Sequence, residues 1–413
     1  KSRRIAASDK KGQTGIIFFF LPINISDNIN SERIYSDVSR RIFMSYLGEN
    51  RHFSFRDGCC ESLSGTVSNS SDAAEFGRTI AGHFKRFAAG CENFDHTHIL
   101  YAISSGIAEC GKDVFMYENT ELPSFKFGYP LLSADCGIYI SGNGSIRISL
   151  FDESRFPLCD RTLTALMDDS AGEPAEKFGK ISSVSSFRNL YVNNIADALE
   201  LHGERIGAGI SCGNPNVRSL WQNFFTGEDD NLVFQISDDG ERVNAYSTEA
   251  GFISHEKLTL AYAVKIAQSG RTAFLPDDFH YAADYLNDDS NKLIERFLAE
   301  NKIPQEVIEQ RFLFDPLFMC AHLAKNKKLF LHLIKELPQF ASAKREVAFS
   351  FTDTDVPTDR QITENGGRIK LTRSGKNRVT LTAQSFSSET AAELCAVWSE
   401  KLRRINKCRE ITE

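Results

Sequence analysis

The sequence has no long apolar run. No stretch approaches the roughly 20 consecutive apolar residues that a membrane-spanning helix requires, so we expect no membrane span. The apolar run at residues 15–22, GIIFFFLP, stops at a proline and continues into polar residues without a clear small-residue cleavage site. This pattern favours a buried strand over a signal peptide.

The chain also lacks an excess of positive charge. Its 48 Lys and Arg residues face 55 Asp and Glu residues, which gives a formal net charge of −7. This balance argues against nucleic acid or an anionic membrane as the main partner. It leaves room for a small anion, because one local basic pocket is enough to hold a phosphate group.

Paired cysteines and common catalytic motifs are missing as well. The 10 cysteines are scattered, none forms a CxxC pair, and the histidines lack zinc-ligand spacing. They are typical of reduced thiols in a cytoplasmic protein. Neither GxSxG, Walker A nor GxGxxG occurs.

What is present is an alternation of helical and strand patterns over 413 residues, which predicts an α/β protein with several domains. We predict domain boundaries that divide the chain into residues 1–178, 179–268, 269–343 and 344–413. Residues 72–89 read as one amphipathic helix, because Phe76, Ile80, Phe84 and Phe87 form an apolar stripe.

Four segments carry recognisable sequence patterns, one after another along the chain. They are residues 104–152, which contain Leu122-Pro123; residues 231–253; residues 314–338; and residues 369–378. In order and spacing they resemble landmarks of the α-D-phosphohexomutase (phosphoglucomutase/phosphomannomutase) family: the GIxITASHNP loop, the DxDxDR metal loop, the LSELLxxLP helix and the RPSGTEP phosphate loop. The resemblance implies a four-domain architecture with three mixed α/β layers and a small C-terminal helix-and-sheet domain.

The phosphoserine loop of the family is matched by a shorter segment. The family reaction needs an in-line oxygen nucleophile, a divalent cation and cationic clamps. In the matching segment SGNGS, Asn143 stands at the phosphoserine, and an amide cannot carry the phosphoryl group in this way. One interpretation makes Ser141 or Ser145 a shifted nucleophile. The sequence favours the other, a tight Asn-Gly hairpin left by a deletion.

The metal loop is also incomplete. Its three carboxylate positions are taken by Ser237, Asp239 and Glu241, while Arg242 keeps the basic position, which the resemblance assigns to phosphate binding. Two carboxylates and a hydroxyl could bind Mg²⁺ weakly. A solvated turn is the favoured interpretation, because Asp-Asp-Gly is a common turn sequence.

Two other family features are replaced. Phe94 occupies the position of an arginine that lies near the transferred phosphoryl group, and a neutral ring cannot clamp phosphate. Residues 296–313 contain neither Gly-Glu nor Ser-Gly-His, so the GGExSGH sugar loop is not recognisable there.

The phosphate loop is the best-preserved landmark. Its candidate ligands are the hydroxyls, the glycine turn and the cations of Thr372, Arg373, Ser374, Gly375 and Lys376. The arginine is displaced by one place from the family position. A basic hairpin turn explains the segment equally well.

These losses together predict a diverged, non-catalytic protein that retains sugar-phosphate binding or a regulatory role. The alternative is an active phosphoglucomutase or phosphomannomutase with a rebuilt catalytic loop. We expect no cofactor beyond weakly bound Mg²⁺, and a hexose phosphate or another small anion as the ligand. The sequence identifies no protein partner.

Overall fold

The computed structural model describes residues 53–56, 59–62, 70–142, 146–158, 162–163, 166, 172–201, 203–228, 231–276, 279–289, 293–297, 304–349, 361–375 and 378–410. The strand predicted at residues 15–22 and the site candidates Asn143, Ser145 and Lys376 lie outside the described residues. Within the described ranges, no helix combines the length and the apolar character that crossing a membrane requires.

A seven-stranded sheet organises the first part of the described chain. Its strands are β1 (Phe53–Arg56), β2 (Cys59–Ser62), β3 (Arg86–Cys91), β4 (Asp113–Tyr117), β5 (Cys136–Ser141), β6 (Arg147–Asp152) and β7 (Ile181–Ser183), in the order β1-β2-β6-β5-β3-β4-β7. β3 pairs in parallel with β4 and β5. The segments that follow these three strands therefore meet at one edge of the sheet, where open α/β sheets bind ligands.

Three helices accompany this sheet: α1 (Ser70–Ala81), α2 (Thr97–Glu109) and α3 (Leu122–Gly128). The first two cross in close contact at Gly106. A Cβ atom at this position would lie 2.0 Å from the Ala74 carbonyl oxygen, so only glycine allows the two helix backbones to approach this closely.

The single helix predicted over residues 72–89 is wrong in its second half. The helix ends at Ala81, and Arg86–Cys91 forms β3. Phe87 is fully buried in this strand and not on a helical stripe. Pairing of β3 with strands on both sides outweighs the local helical periodicity, because an apolar run buried on both faces can form either structure.

A five-stranded sheet follows. Its strands are β8 (Ile206–Ser211), β9 (Phe225–Gly227), β10 (Leu232–Ile236), β11 (Val243–Ser247) and β12 (Gly251–Ile253), in the order β12-β11-β10-β8-β9. The helices of this region are α4 (Arg188–Ala198), α5 (Pro215–Trp221) and α6 (His255–Gln268). β10 and β11 pair antiparallel, so residues 237–242 form the turn of a hairpin.

The third region is mainly helical in its described residues. Its two strands, β13 (Ala273–Pro276) and β14 (Ile294–Phe297), pair in parallel. Its helices are α7 (His280–Asp289), α8 (Gln305–Gln310), α9 (Pro316–Ala324) and α10 (Lys327–Glu336). One apolar core joins this region to the five-stranded sheet, so the two regions are packed as one body.

The last region is an antiparallel sheet with one long helix. Its strands β15 (Ala341–Ala348), β16 (Gln361–Glu364), β17 (Gly367–Gly375) and β18 (Arg378–Ser385) are in the order β15-β18-β17-β16, and α11 (Ser388–Glu410) packs against them. The four sheets follow one another along the chain. The division of the chain into four domains, with its three boundaries, stays a prediction.

Candidate functional site

A cavity of about 220 Å³ lies where α3, the β10–β11 turn and the helices of the third region meet. We call it the central cavity. Its lining includes three cations, Lys126, Arg155 and Arg311, and two carboxylates, Glu241 and Asp315. Most of the remaining lining is aromatic or apolar. Charged groups in such surroundings interact strongly, because little water screens them.

An ion pair joins α3 to the turn that was predicted to bind metal. The Lys126 ammonium donates to the Glu241 carboxylate, and the two side chains are 10% and 28% exposed. Burial lowers the pKa of Lys126, while the adjacent Glu241 acts against this shift. Glu241 therefore already faces a cation that the protein itself supplies.

Arg155 and Arg311 bring guanidinium groups to the same cavity. The Arg311 guanidinium lies 4.6 Å from the centroid of the Phe156 ring, and that of Arg155 lies 5.7 Å from the centroid of Phe127. These aromatic faces orient the guanidiniums by cation–π attraction. Within the described part of the chain, neither guanidinium forms an ion pair with a carboxylate.

The backbone at Arg155 is held in an uncommon conformation. Arg155 has a φ of 71°, in the left-handed region that favours glycine. Asp152 supports this turn, because its Oδ1 atom accepts hydrogen bonds from the N–H groups of Ser154 and Phe156, both at 2.9 Å. The turn after β6 thus directs an arginine to the cavity at a cost of about 1 kcal/mol in backbone energy.

Asp315 has a structural role at the cavity wall. Its Oδ1 atom caps α9 by accepting hydrogen bonds from the N–H groups of Leu317 and Phe318, and the Tyr191 hydroxyl donates to the same atom at 2.7 Å. Burial raises the pKa of Asp315. The protein's own donors thus hold this carboxylate in place, while its negative charge also acts on Lys126 and Arg155.

His255 supplies a neutral polar group. Its Nδ1 atom accepts a hydrogen bond from the Val243 N–H at 3.4 Å, which assigns the proton to Nε2. Burial, together with the nearby Arg242, lowers the pKa of His255, so the ring is neutral at pH 7. It is one of the residues that line the central cavity.

The turn at residues 237–242 is closed by its own side chains. The Ser237 hydroxyl donates to Asp239 Oδ1 at 2.5 Å and accepts from the Arg242 N–H at 2.9 Å. Asp239 Oδ1 also accepts from the Glu241 N–H at 3.0 Å. Gly240, at a φ of 77°, allows the backbone to reverse. The geometry is that of a hydrogen-bonded hairpin turn.

The predicted metal ligands do not fit a magnesium site. A small dication needs oxygen ligands that converge on one point. Ser237 and Asp239 bond to each other, Glu241 pairs with Lys126, and the Arg242 guanidinium pairs with Glu256 at 2.7 Å. Among the described residues, no group of three His, Cys, Asp or Glu side chains could hold a metal ion.

The edge of the first sheet places a carboxylate beside the predicted phosphoserine loop. Ser141 is the last residue of β5, and the N–H of Gly142 donates to Glu92 Oε2 at 3.1 Å. The other Glu92 oxygen accepts from the Asn214 amide at 2.8 Å. Phe94, at the family's arginine position, is 66% exposed. The backbone at the start of this loop therefore donates to the Glu92 carboxylate. The negative charge of that carboxylate would repel a phosphoryl group.

The predicted phosphate loop lies away from the central cavity. Thr372 and Arg373 belong to β17, and an irregularity between Arg373 and Gly375 precedes the turn into β18. None of the central cavity's described lining comes from this hairpin. The other end of the hairpin contacts α7, where Gln384 accepts from the Tyr281 N–H at 2.9 Å.

Comparison with solved structures gives a consistent relationship. A phosphoglucomutase/phosphomannomutase family protein from Burkholderia thailandensis superposes with a TM-score of 0.58 at 13% sequence identity, over 84% of this chain and 95% of that one. A candidate phosphomannomutase from Thermus thermophilus gives a TM-score of 0.52 at 13% identity, over 86% of this chain and 99% of that one. No family model and no curated protein sequence matches the chain.

The chain has the phosphoglucomutase/phosphomannomutase fold. This confirms the α/β fold predicted from the four ordered segments. At 13% identity the likeness establishes the fold and leaves activity open.

Sequence reasoning missed the three cations of the central cavity. The available signal for Lys126 is that it is the single charged residue of α3, whose sequence is LPSFKFG. A charge within such a segment needs a partner when the segment is buried. Arg155 and Arg311 carry no comparable signal, because they lie in short polar segments and are far apart in the sequence.

Proposed function

We propose that the chain binds a small anion of the sugar-phosphate class in the central cavity, without a divalent cation and without the phosphoserine-dependent mutase reaction. One observation supports this proposal most directly. The Lys126 ammonium forms an ion pair with Glu241 of the candidate metal loop, and the guanidinium groups of Arg155 and Arg311 line the same cavity. The positive charge that a phosphate needs is thus built into the chain.

Mutual repulsion among these cations supports binding of an anion. Besides burial, the charge of Arg311 contributes to the lowered pKa values of both Lys126 and Arg155. Arg311 thus disfavours the charged forms of Lys126 and Arg155, and an anion that enters between them would offset this repulsion. Guanidinium groups match the geometry of phosphate oxygens particularly well.

The size and the neutral lining support a phosphorylated sugar. At about 220 Å³, the cavity is smaller than the roughly 300–1,000 Å³ of most drug-sized ligand pockets. His255 offers a neutral donor for a hydroxyl group, and aromatic rings can cover the apolar face of a sugar ring. Proteins of this fold carry names that refer to phosphorylated hexoses, which makes this class the first one to test.

The proposed lack of mutase activity rests on two sites. Glu92 holds the backbone beside Ser141, where a phosphoryl group would need cations, and the predicted metal loop is closed on itself. A cytoplasmic location is part of the proposal and rests on the scattered cysteines, of which Cys91, Cys110, Cys136, Cys212, Cys320 and Cys395 are free thiols.

The test is titration calorimetry with glucose 6-phosphate, performed once with EDTA and once with Mg²⁺. We expect a dissociation constant in the high-micromolar to millimolar range, about −4 to −6 kcal/mol, that is the same in both buffers. Arg311→Gln should weaken binding about tenfold or more, since a charge-assisted contact is lost. Arg404→Gln, at an exposed position in α11, is the matched control and should change little.

Two results would contradict the proposal. If Arg373→Ala abolishes binding while Arg311→Gln does not, the ligand binds at the β17–β18 hairpin and not in the central cavity. If a coupled assay with a bisphosphate activator and Mg²⁺ gives turnover that Ser141→Ala removes, the chain is an active mutase with a rebuilt loop.

A further inference from the structure

A second cavity, of about 510 Å³, lies between the end of α4, α6 and the start of α10. We call it the lysine pocket, and its described cations are Lys265, Lys325, Lys327 and Lys328. Glu200 is the single carboxylate among its described lining residues. It shares no lining residue with the central cavity, so its function can be tested separately.

Two of the ammonium groups are fixed by backbone carbonyls. Lys265 Nζ donates to the His322 carbonyl oxygen at 3.0 Å, and Lys325 Nζ donates to the Leu199 carbonyl oxygen at 2.6 Å. A carbonyl positions an ammonium but does not cancel its charge. Burial, with a contribution from Lys325, lowers the pKa of Lys265, which reflects the repulsion between the two charges.

The other two lysines stand where a helix favours negative charge. Lys327 and Lys328 are the first two residues of α10, and the first turn of this helix contains no acid. Helix N-termini carry a partial positive charge and stabilise anions, whereas two cations there are unfavourable.

A half-buried histidine lies at the pocket wall, close to the same lysines. His322 Nδ1 is buried and has no hydrogen-bond partner among the described residues. Burial and the charges of Lys265, Arg271 and Lys325 lower the pKa of His322 to about 4. The charged groups that act on this ring are cations, and Glu200 is the carboxylate among the described lining residues of the pocket.

We propose that the lysine pocket binds a small, free anion that carries phosphate groups and at least two negative charges. The two fixed ammonium groups provide rigid donors, and the two lysines at the start of α10 close around the ligand. Compact, multiply charged phosphate is the ligand that lysine ammonium groups bind as point charges.

The experiment uses the full chain and inorganic pyrophosphate, with calorimetry and NMR of the histidine rings. We expect saturable binding, and the double variant Lys327→Gln/Lys328→Gln should weaken it about tenfold or more. The double variant Lys85→Gln/Lys112→Gln removes the same charge from the first sheet and should change affinity by less than about twofold. Pyrophosphate should also raise the pKa of His322, because a bound anion offsets the neighbouring cations.

Three outcomes would overturn the proposal. The first is the absence of saturable binding in the wild type, and the second is an equal loss of affinity in both double variants. The third is co-sedimentation of the wild type with phosphatidic acid vesicles, lost in the Lys327→Gln/Lys328→Gln variant and kept in the control variant. This result would show that the lysines bind a membrane surface. Arg311→Gln should leave the effect of pyrophosphate on the His322 ring unchanged, so this test is distinguishable from that of the central cavity.

Discussion

Lys126 is the single charged residue in a seven-residue helix, and its side chain is 10% exposed. An ammonium group in such surroundings has lost most of its hydration, so its partner decides whether the charge is tolerated. Glu241 is that partner, although its position resembles a metal ligand in the sequence. At the scale of single residues, a carboxylate at a candidate metal-ligand position stabilises a buried lysine.

Glu241→Gln should destabilise the fold, because it leaves the Lys126 ammonium buried without a carboxylate. We expect the free energy of unfolding to fall by about 2 kcal/mol, somewhat less than for a fully buried pair since Glu241 is 28% exposed. Urea denaturation measures this change. The double variant Lys126→Met/Glu241→Gln should recover most of the loss.

The matched control is Glu256→Gln, which removes a carboxylate from the exposed pair with Arg242. Arg242 is 67% exposed, so we expect Glu256→Gln to lower the free energy of unfolding by less than about 0.5 kcal/mol. Equal losses in Glu241→Gln and Glu256→Gln would show that Lys126 is not a desolvated charge.

His322 should make stability depend on pH in acid. Burial and the nearby lysines lower its pKa from 6.5 to about 4, so the unfolded chain binds more protons between these values. The free energy of unfolding therefore falls as pH decreases from 6.5 to about 4, by no more than about 2–3 kcal/mol from this residue. Urea denaturation in phosphate-free buffers should show a weaker dependence in His322→Gln. The control is His332→Gln, which replaces an exposed ring and should show the same pH dependence of stability as the wild type. If His322→Gln also keeps the pH dependence of the wild type, the assignment to His322 is refuted.

At the scale of elements, the contact between α1 and α2 depends on backbone approach more than on side-chain volume. Gly77 and Gly106 each face the backbone of the other helix, with distances of 2.3 and 2.0 Å from a built Cβ to the nearest carbonyl oxygen. Glycine inside a helix is normally unfavourable, and here it permits the helices to pack on the sheet.

Gly106→Ala should therefore destabilise the protein, although alanine is the better helix former. We expect a loss of at least about 2 kcal/mol in the free energy of unfolding, because the helices must separate to admit the methyl group. Gly82→Ala is the control, since its Cβ would lie 3.8 Å from the nearest atom, the Thr79 carbonyl oxygen. Thermal denaturation of the two variants gives the comparison, and a stabilised Gly106→Ala protein would refute this account of the contact.

At the scale of the whole molecule, the fold could be predicted but the cavity could not. The four ordered segments were sufficient for the fold, because each pattern reflects local strands, turns and helices that the structure contains. The hairpin turn at residues 237–242 was also predictable, since Asp-Asp-Gly specifies a turn by itself. Lys126, Arg155 and Arg311 meet only after three regions pack together, and no local pattern records that contact.

The same reason explains the error over residues 72–89. The sequence of Arg86–Cys91 fits a helix or a buried strand, and its pairing with β4 and β5 decides between them. Helices and turns that carry their own capping or turn residues could thus be predicted from the local sequence. Tertiary pairing decided the apolar segments that lack such signals.

The left-handed backbone of Arg155 has a consequence for how this protein can change over evolution. Glycine would relieve the backbone strain at this position, although it would increase the conformational freedom of the unfolded chain. Such a mutation would also delete one of the three cations of the central cavity. Under the proposed function, relief of backbone strain and ligand binding therefore place opposite demands on this one residue.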